Sequence, residues 1–292
     1  MADQRKYDRT KADLGNIVNL GHVNVQITDQ RLATHYYVSG LGLTRDPFLN
    51  TGAGNMWINV GVSQFHLPNG EPQVLRGTIG LVTSDRAALL ERLNEVKKPL
   101  AGTKFSFRET NDGVETICPW GNRITCHEPD AERFGRIVLG IACITFDVRP
   151  GTADRIARFY REIMGAPSEV MENGKGRQAK VEVGEKQYYY FRETDAPEAA
   201  YDGHHAQIYI HDFSGPYRKL IDRGLITIEF SEHEYRFNDV IDLDTREVLF
   251  TVEHEVRAQS HPMFARPLIN RNPAQTNRDY RPGHDEMSWA MA

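Results

Sequence analysis

Apolar and polar positions alternate with a period of two in many short runs along the chain, and these runs are separated by stretches of helical period. Residues 17–29 read as a strand that ends at Asp29, a helix N-cap, and Arg31–Val38 carry the helix to a Gly-Leu-Gly stop. Strands follow near 43–48, 56–60 and 64–67, the last two joined at Gly61. The order is β-α-β-β-β, and it returns three times. The second copy has a strand over 74–83, a helix over 84–97, and strands near 104–108, 114–118 and 123–127. The third opens at 138–148, with a helix over 153–164 ended by Gly165 and closing strands near 179–183 and 187–191. The fourth opens at 205–210, has a short helix over 216–223, and closes with 235–242 and 248–256.

Local identities support a duplication. Leu20-Gly21-His22 matches Leu139-Gly140-Ile141, and the helix run 35–42 matches 158–165. Val60-Gly61 through His66 parallels Val183-Gly184 through Tyr189. Two domains are expected, residues 1–132 and 137–258, each of two modules, followed by a polar extension over 259–292. That extension has recurrent prolines and the aromatics Phe264, Tyr280 and Trp289, which suit an ordered segment laid across a neighbouring surface.

Composition adds exclusions. At 292 residues, 40% hydrophobic and 26% charged, the chain suits a globular α+β protein. A net charge of −5 without a clustered basic face speaks against a nucleic-acid partner. No apolar run is long enough to span a bilayer. Three cysteines without CxxC spacing, and no apolar leader, point to a reduced cytoplasmic setting.

A strand opening with Gly-His, a helix carrying an aromatic pair before a glycine, and a hairpin at Pro119-Trp120-Gly121-Asn122-Arg123 resemble the vicinal-oxygen-chelate superfamily over about residues 17–257. It includes glyoxalase I, extradiol dioxygenases and bleomycin resistance proteins. The resemblance implies four tandem βαβββ modules forming two cup-shaped sheets, with a divalent metal (Fe, Mn, Ni, Co or Zn) held by the first and last strands of paired modules. Carried over residue by residue, it marks His22 and His66 in module one, and His205 with Glu253 in module four. Module two has Thr78 and Thr125 there, with His127 two residues on, and module three has Ile141 and Tyr189. Retention in modules one and four suggests that these share a cup, with His22, His66, His205 and Glu253 as metal ligands. Pairing in chain order, with His127 as the third donor, stays open.

Strand alternation along 248–256 points Val252 and His254 into the cup unless a bulge restores Glu253, and Glu255 and His254 are substitutes for it. For catalysis, Glu255 and Tyr189 are the candidates, with His127 beside them. The implied function is a metal-dependent enzyme acting on a small oxygen-rich or aromatic substrate, by isomerase or lyase chemistry or by ring cleavage. A direct extradiol assignment ranks second, because Ile141 stands where those enzymes carry their first histidine. The rival is a metal-free protein that sequesters a small molecule in a cup lined by Trp57, Phe65, Tyr188 and Tyr189. A homodimer is a further expectation, since the C-terminal extension suits the surface of a second subunit.

Overall fold

The computed structural model describes residues 7–49, 54–174 and 176–270. The strands of module one are β1 (Ile17–Asn24), β2 (Thr44–Arg45), β3 (Asn55–Val60) and β4 (Ser63–Pro68). Module two supplies β5 (Gly77–Val82), β6 (Ser106–Thr110), β7 (Gly113–Ile117) and β8 (Arg123–His127). Module three supplies β9 (Gly140–Val148), β10 (Ser168–Asn173), β11 (Gly176–Gly184) and β12 (Gln187–Glu193). Module four supplies β13 (His205–Ile210), β14 (Ile226–Ser231), β15 (Glu234–Ile241) and β16 (Val248–Ala258).

These strands form two mixed sheets of eight. One runs β14-β15-β16-β13-β1-β4-β3-β2 and the other β10-β11-β12-β9-β5-β8-β7-β6. Module one therefore pairs with module four, through antiparallel β1 and β13, and module two with module three, through antiparallel β5 and β9. The stretch 129–137 lies between β8 and β9, which flank β5 in the same sheet. The glyoxalase-like architecture of two cupped sheets is the one the strand patterns imply.

Each module has its helix: α1 (Gln30–Ala33), α2 (Arg86–Glu95), α4 (Ala153–Phe159) and α5 (Ser214–Ile221), with a short α3 (Ala131–Phe134) in the connector. Asp29 caps α1 by accepting from the backbone N–H of Arg31 and Leu32. Both α1 and α4 continue as π-helical turns, Thr34–Gly40 and Tyr160–Met164. These turns bury Tyr36, Tyr37 and Tyr160 in one core shared by both sheets. Phe146 of β9 meets Phe250 of β16 at 5.3 Å, and Tyr36 Oη donates to Thr116 of β7 at 3.4 Å. The inner face of each sheet is thus spent on packing, and chemistry is left to the opposite, concave faces.

Two strands are additions to the sequence reading. β10 and β14 are edge strands, and β14 is exposed along most of its length although its sequence, Ile226-Thr227-Ile228-Glu229-Phe230-Ser231, alternates apolar and polar residues. The first strand is shorter than the expected 17–29, because after Asn24 the chain keeps only a bridge from Ile27 to Asn69. Residues 259–270 leave β16 and cross the first sheet. Phe264 packs on Tyr209 at 5.0 Å, Arg266 pairs with Asp46, and Asn270 bonds both the N–H and the C=O of Gly61. Residues 259–270 are thus laid on their own chain; the rest of the expected extension, with Tyr280 and Trp289, lies outside the described residues. Among the described residues no helix is long and apolar enough to cross a membrane.

Candidate metal centre

Register alone assembles the centre. In a sheet, side chains directly opposite each other share a face. Asn24 of β1 stands opposite His66 of β4 on one side and His205 of β13 on the other, while His22 lies two residues back on the same face. The imidazoles converge: His22 is 5.6 Å from His66 and 5.7 Å from His205, centroid to centroid. One ligating atom from each of these three lies within 4.8 Å of the others.

β16 completes the face. His205 stands opposite Glu253, and Gln207, itself opposite His22, stands opposite Glu255. Here the structure corrects the sequence reading of this strand. Leu249, Val252 and Val256 fill the core, and His254 joins them, stacked on Phe237 and bonded to Tyr160 Oη at 2.6 Å. Glu253, Glu255 and Arg257 face the cup instead. Irregular pairing with β15 between Phe237/Asp239 and again near Val240 shifts the alternation counted from the hairpin.

The two glutamates occupy different places. Glu253 Oε1 is 3.1 Å from His205 Nδ1, on the far side of the ring from the cluster, and 2.7 Å from Arg236. Glu255 Oε2 is 3.1 Å from His205 Nε2 and 3.7 Å from His22 Nε2, so it is the carboxylate that reaches the histidines. Glu255 is also clasped by Arg257 at 2.6 Å and Arg236 at 2.9 Å. Both guanidiniums bridge on to Glu234. Sequence reasoning missed Arg236, Arg257 and Glu234. Their signal was the spacing Glu234-x-Arg236 on one strand and Glu253-x-Glu255-x-Arg257 on the next, opposite charges on one face of paired strands.

Electrostatics keep His22 and His66 neutral as donors. Burial pushes His22 well below its ordinary value, despite the opposing pull of Glu255, and pushes His66 down to about 3. His205 is raised: burial would lower it, but Glu253 and Glu255 outweigh that. Glu255 is held well below the carboxylate range, because His22, His205 and Arg257 together outweigh its burial. Three carboxylates surround two guanidiniums, leaving one buried negative charge that a proton on His205 or a bound cation would balance.

A buried polar atom without a partner costs about 1–3 kcal/mol, so a cluster of them in one place marks a ligand. The Nε2 atoms of His22 and His66 are buried without a hydrogen-bond partner, whereas His205 Nε2 faces Glu255 Oε2 at 3.1 Å. Asn24 Oδ1 and both polar atoms of the Gln207 side chain are likewise buried without a partner. Donor atoms of three imidazoles within 4.8 Å of one another, with the Glu255 carboxylate beside them, suit a divalent transition metal, whose binding would displace a proton held on His205. Trp57, stacked on His66 at 3.9 Å and 10°, fixes that ring.

The remaining candidates lie elsewhere. Tyr189 alternates with the cup-facing Tyr188 and Tyr190, so it points into the core between Phe146 and Tyr160 and is not brought to the histidines. Phe65 is likewise core, against Tyr37, and does not line a cup. Trp57 and Tyr188 line cups, but different ones. His127 faces the second cup, its Nδ1 2.8 Å from the Asp112 carbonyl, and does not join the cluster. Thr78 and Thr125 face that cup too, whereas an irregularity between β5 and β9 at Gly80/Leu81 leaves Ile141 in the core and Cys143 at the cup.

No family model matches the chain. An uncharacterized protein, L19, of Acanthamoeba polyphaga mimivirus is 38% identical over 60 residues, 20% of this chain and 49% of that protein. The chain thus spans about half the length of the curated relative it matches. Among solved structures, a proposed dioxygenase from Bacillus subtilis aligns with a TM-score of 0.56 at 14% identity, covering 85% of this chain and 87% of that one. Glyoxalase I from Zea mays aligns with a TM-score of 0.56 at 13% identity, covering 86% and 95%.

Proposed function

We propose that this chain, which has the fold of the vicinal-oxygen-chelate superfamily, is a divalent-metal-dependent enzyme acting on a small substrate through two neighbouring oxygens. The observation that carries the reading is the convergence of three imidazoles and the Glu255 carboxylate in one buried place, with the Nε2 atoms of His22 and His66 unpartnered.

His22, His66, His205 and Glu255 would hold the ion. A bound divalent ion would supply Lewis acidity, stabilising negative charge that develops on a substrate oxygen. The protein residues divide the other work. Glu253 accepts from His205 Nδ1–H and so directs Nε2 toward the centre, the arrangement by which a carboxylate orients a metal-bound histidine. Arg236 and Arg257 keep Glu255 anionic and fixed, which suits it to ligation and makes it a poor proton acceptor. Gln207 and Asn24 supply a donor and acceptors to a bound substrate. The segment 259–270, with Phe264 over Tyr209, screens one side of the cup from water.

Elemental analysis of the purified chain tests this reading. One transition-metal ion per chain is expected, with His22→Ala or His66→Ala reducing it severely while circular dichroism stays unchanged. Metal content near zero in the unaltered chain, after purification without chelator and dialysis against each candidate ion, contradicts it.

A further inference from the structure

The two cups differ in what fills them. Residues 259–270 cross the first, whereas the second lines a cavity of about 1210 Å³. Small-molecule sites usually measure roughly 300–1,000 Å³, so this one has room for a ligand of drug size or larger. Among the described residues no cluster of metal-ligating side chains lies in it. Its floor is short and hydroxylic, with Thr78, Thr125 and Thr145 around Gly80 and Cys143. Gly80 keeps the floor low, because a Cβ there would come within 2.5 Å of Cys143 Sγ.

One wall is aromatic. Tyr188 and Tyr190 alternate with core residues along β12 and present both rings to the cavity, 5.9 Å apart and tilted by 41°. Lys180 lies over the Tyr188 ring at 4.7 Å and touches Glu169 at 3.0 Å. Six cationic side chains line the cavity against three carboxylates, and Asp147 and Glu169 pair with Arg123, Arg192 and Lys180 from outside the lining, leaving a surplus of one positive charge. Such a lining favours a negatively charged guest, and the ring pair favours a flat one.

We infer that the second cup is a metal-independent binding site for an aromatic organic anion, stacked on Tyr188 and Tyr190 with its charge toward Lys180. The threonine hydroxyls of the floor serve polar substituents of the ring. The site is separate from the histidine centre, which lies on the other sheet.

Titration of the full chain with 8-anilinonaphthalene-1-sulfonate, an aromatic anion, tests the inference. We expect saturable binding of one molecule per chain, undiminished by chelator. Bound probe should slow alkylation of Cys143 by iodoacetamide, a local reading because Cys118 and Cys126 are buried. Tyr188→Ala/Tyr190→Ala should weaken binding about tenfold, while the paired Phe variant retains it. Lys180→Gln should weaken it severalfold, and the neutral analogue N-phenyl-1-naphthylamine should bind less tightly. Absence of saturable binding, unslowed Cys143 alkylation, or an undiminished affinity in the alanine pair overturns the site. Equal affinity for the neutral analogue overturns its preference for anions.

Discussion

His22 on the first strand of module one and His205 on the first strand of module four stand 5.7 Å apart, on antiparallel neighbours of one sheet. That adjacency joins the two ends of the folded repeat and creates the only cluster of three potential metal ligands found among the described residues.

The two glutamates of β16 should separate on mutation. Glu255→Gln is expected to empty the centre and to destabilise the fold, because Arg257 and Arg236 lose their central partner; removing one member of a buried ion pair costs about 3–5 kcal/mol. Glu253→Gln should keep the ion with affinity lowered roughly 10–100-fold, the usual effect of losing a carboxylate that orients a ligand histidine. Competition with a chromophoric chelator measures both. If Glu253→Gln empties the site and Glu255→Gln retains the ion, the assigned roles are reversed.

Gly61 should resist substitution. It turns β3 into β4 with φ +67°, and a Cβ there would lie 1.9 Å from the carbonyl oxygen of Leu139, which belongs to the connector into the other sheet. Gly61→Ala is expected to cost at least about 1–3 kcal/mol from backbone strain, with the clash in addition. Gly54, which has nothing within 4 Å of a built Cβ, is the control, and its alanine variant should stay within about 0.5 kcal/mol of the unaltered chain. Urea denaturation gives both values; equal stabilities would remove the turn from the account.

Acid should loosen the segment that crosses the first cup. Burial raises the Asp46 carboxyl, but its bond from Arg266 and the backbone N–H groups of Leu49 and Phe48 outweigh this and hold it below its ordinary value. A depressed carboxyl stabilises above its unfolded value, and that contribution disappears as pH falls through the folded value. Hydrogen-exchange protection over residues 266–270 should therefore be constant near neutrality and fall below about pH 4, the ordinary aspartate range. In Asp46→Asn the protection should already be low at neutral pH and respond little to acid. A steep acid response that survives Asp46→Asn would assign the effect to another group.

The repeat was readable because each module spends one strand face on the core, so alternation and cap residues such as Asp29 and Gly165 recur in register. His22, His66 and His205 were readable for the same reason, each lying on a first or last strand. The edge strand β14 carries a period of two in Ile226, Ile228 and Phe230 that the sequence reading passed over, and the structure leaves these residues largely exposed at the edge. The facing of Glu253 and Glu255 depended on irregular pairing between β15 and β16, which hydropathy does not encode. Tyr189 was misjudged because a run of four aromatic residues, 188–191, hides which of them face the core. Gln207 and Asn24 gave no signal at all: unpartnered amides become visible only when their surroundings are known.

The central claim is that one ion sits among residues of modules one and four. Anomalous diffraction from crystals of the metal-loaded chain, recorded at the absorption edge of the bound element, tests it directly. The account predicts a single strong peak at about 2.0–2.2 Å from the Nε2 atoms of His22, His66 and His205 and from a Glu255 oxygen. A peak elsewhere, such as beside His127 in the second cup, or none in this cluster from a chain shown to carry metal, would contradict it.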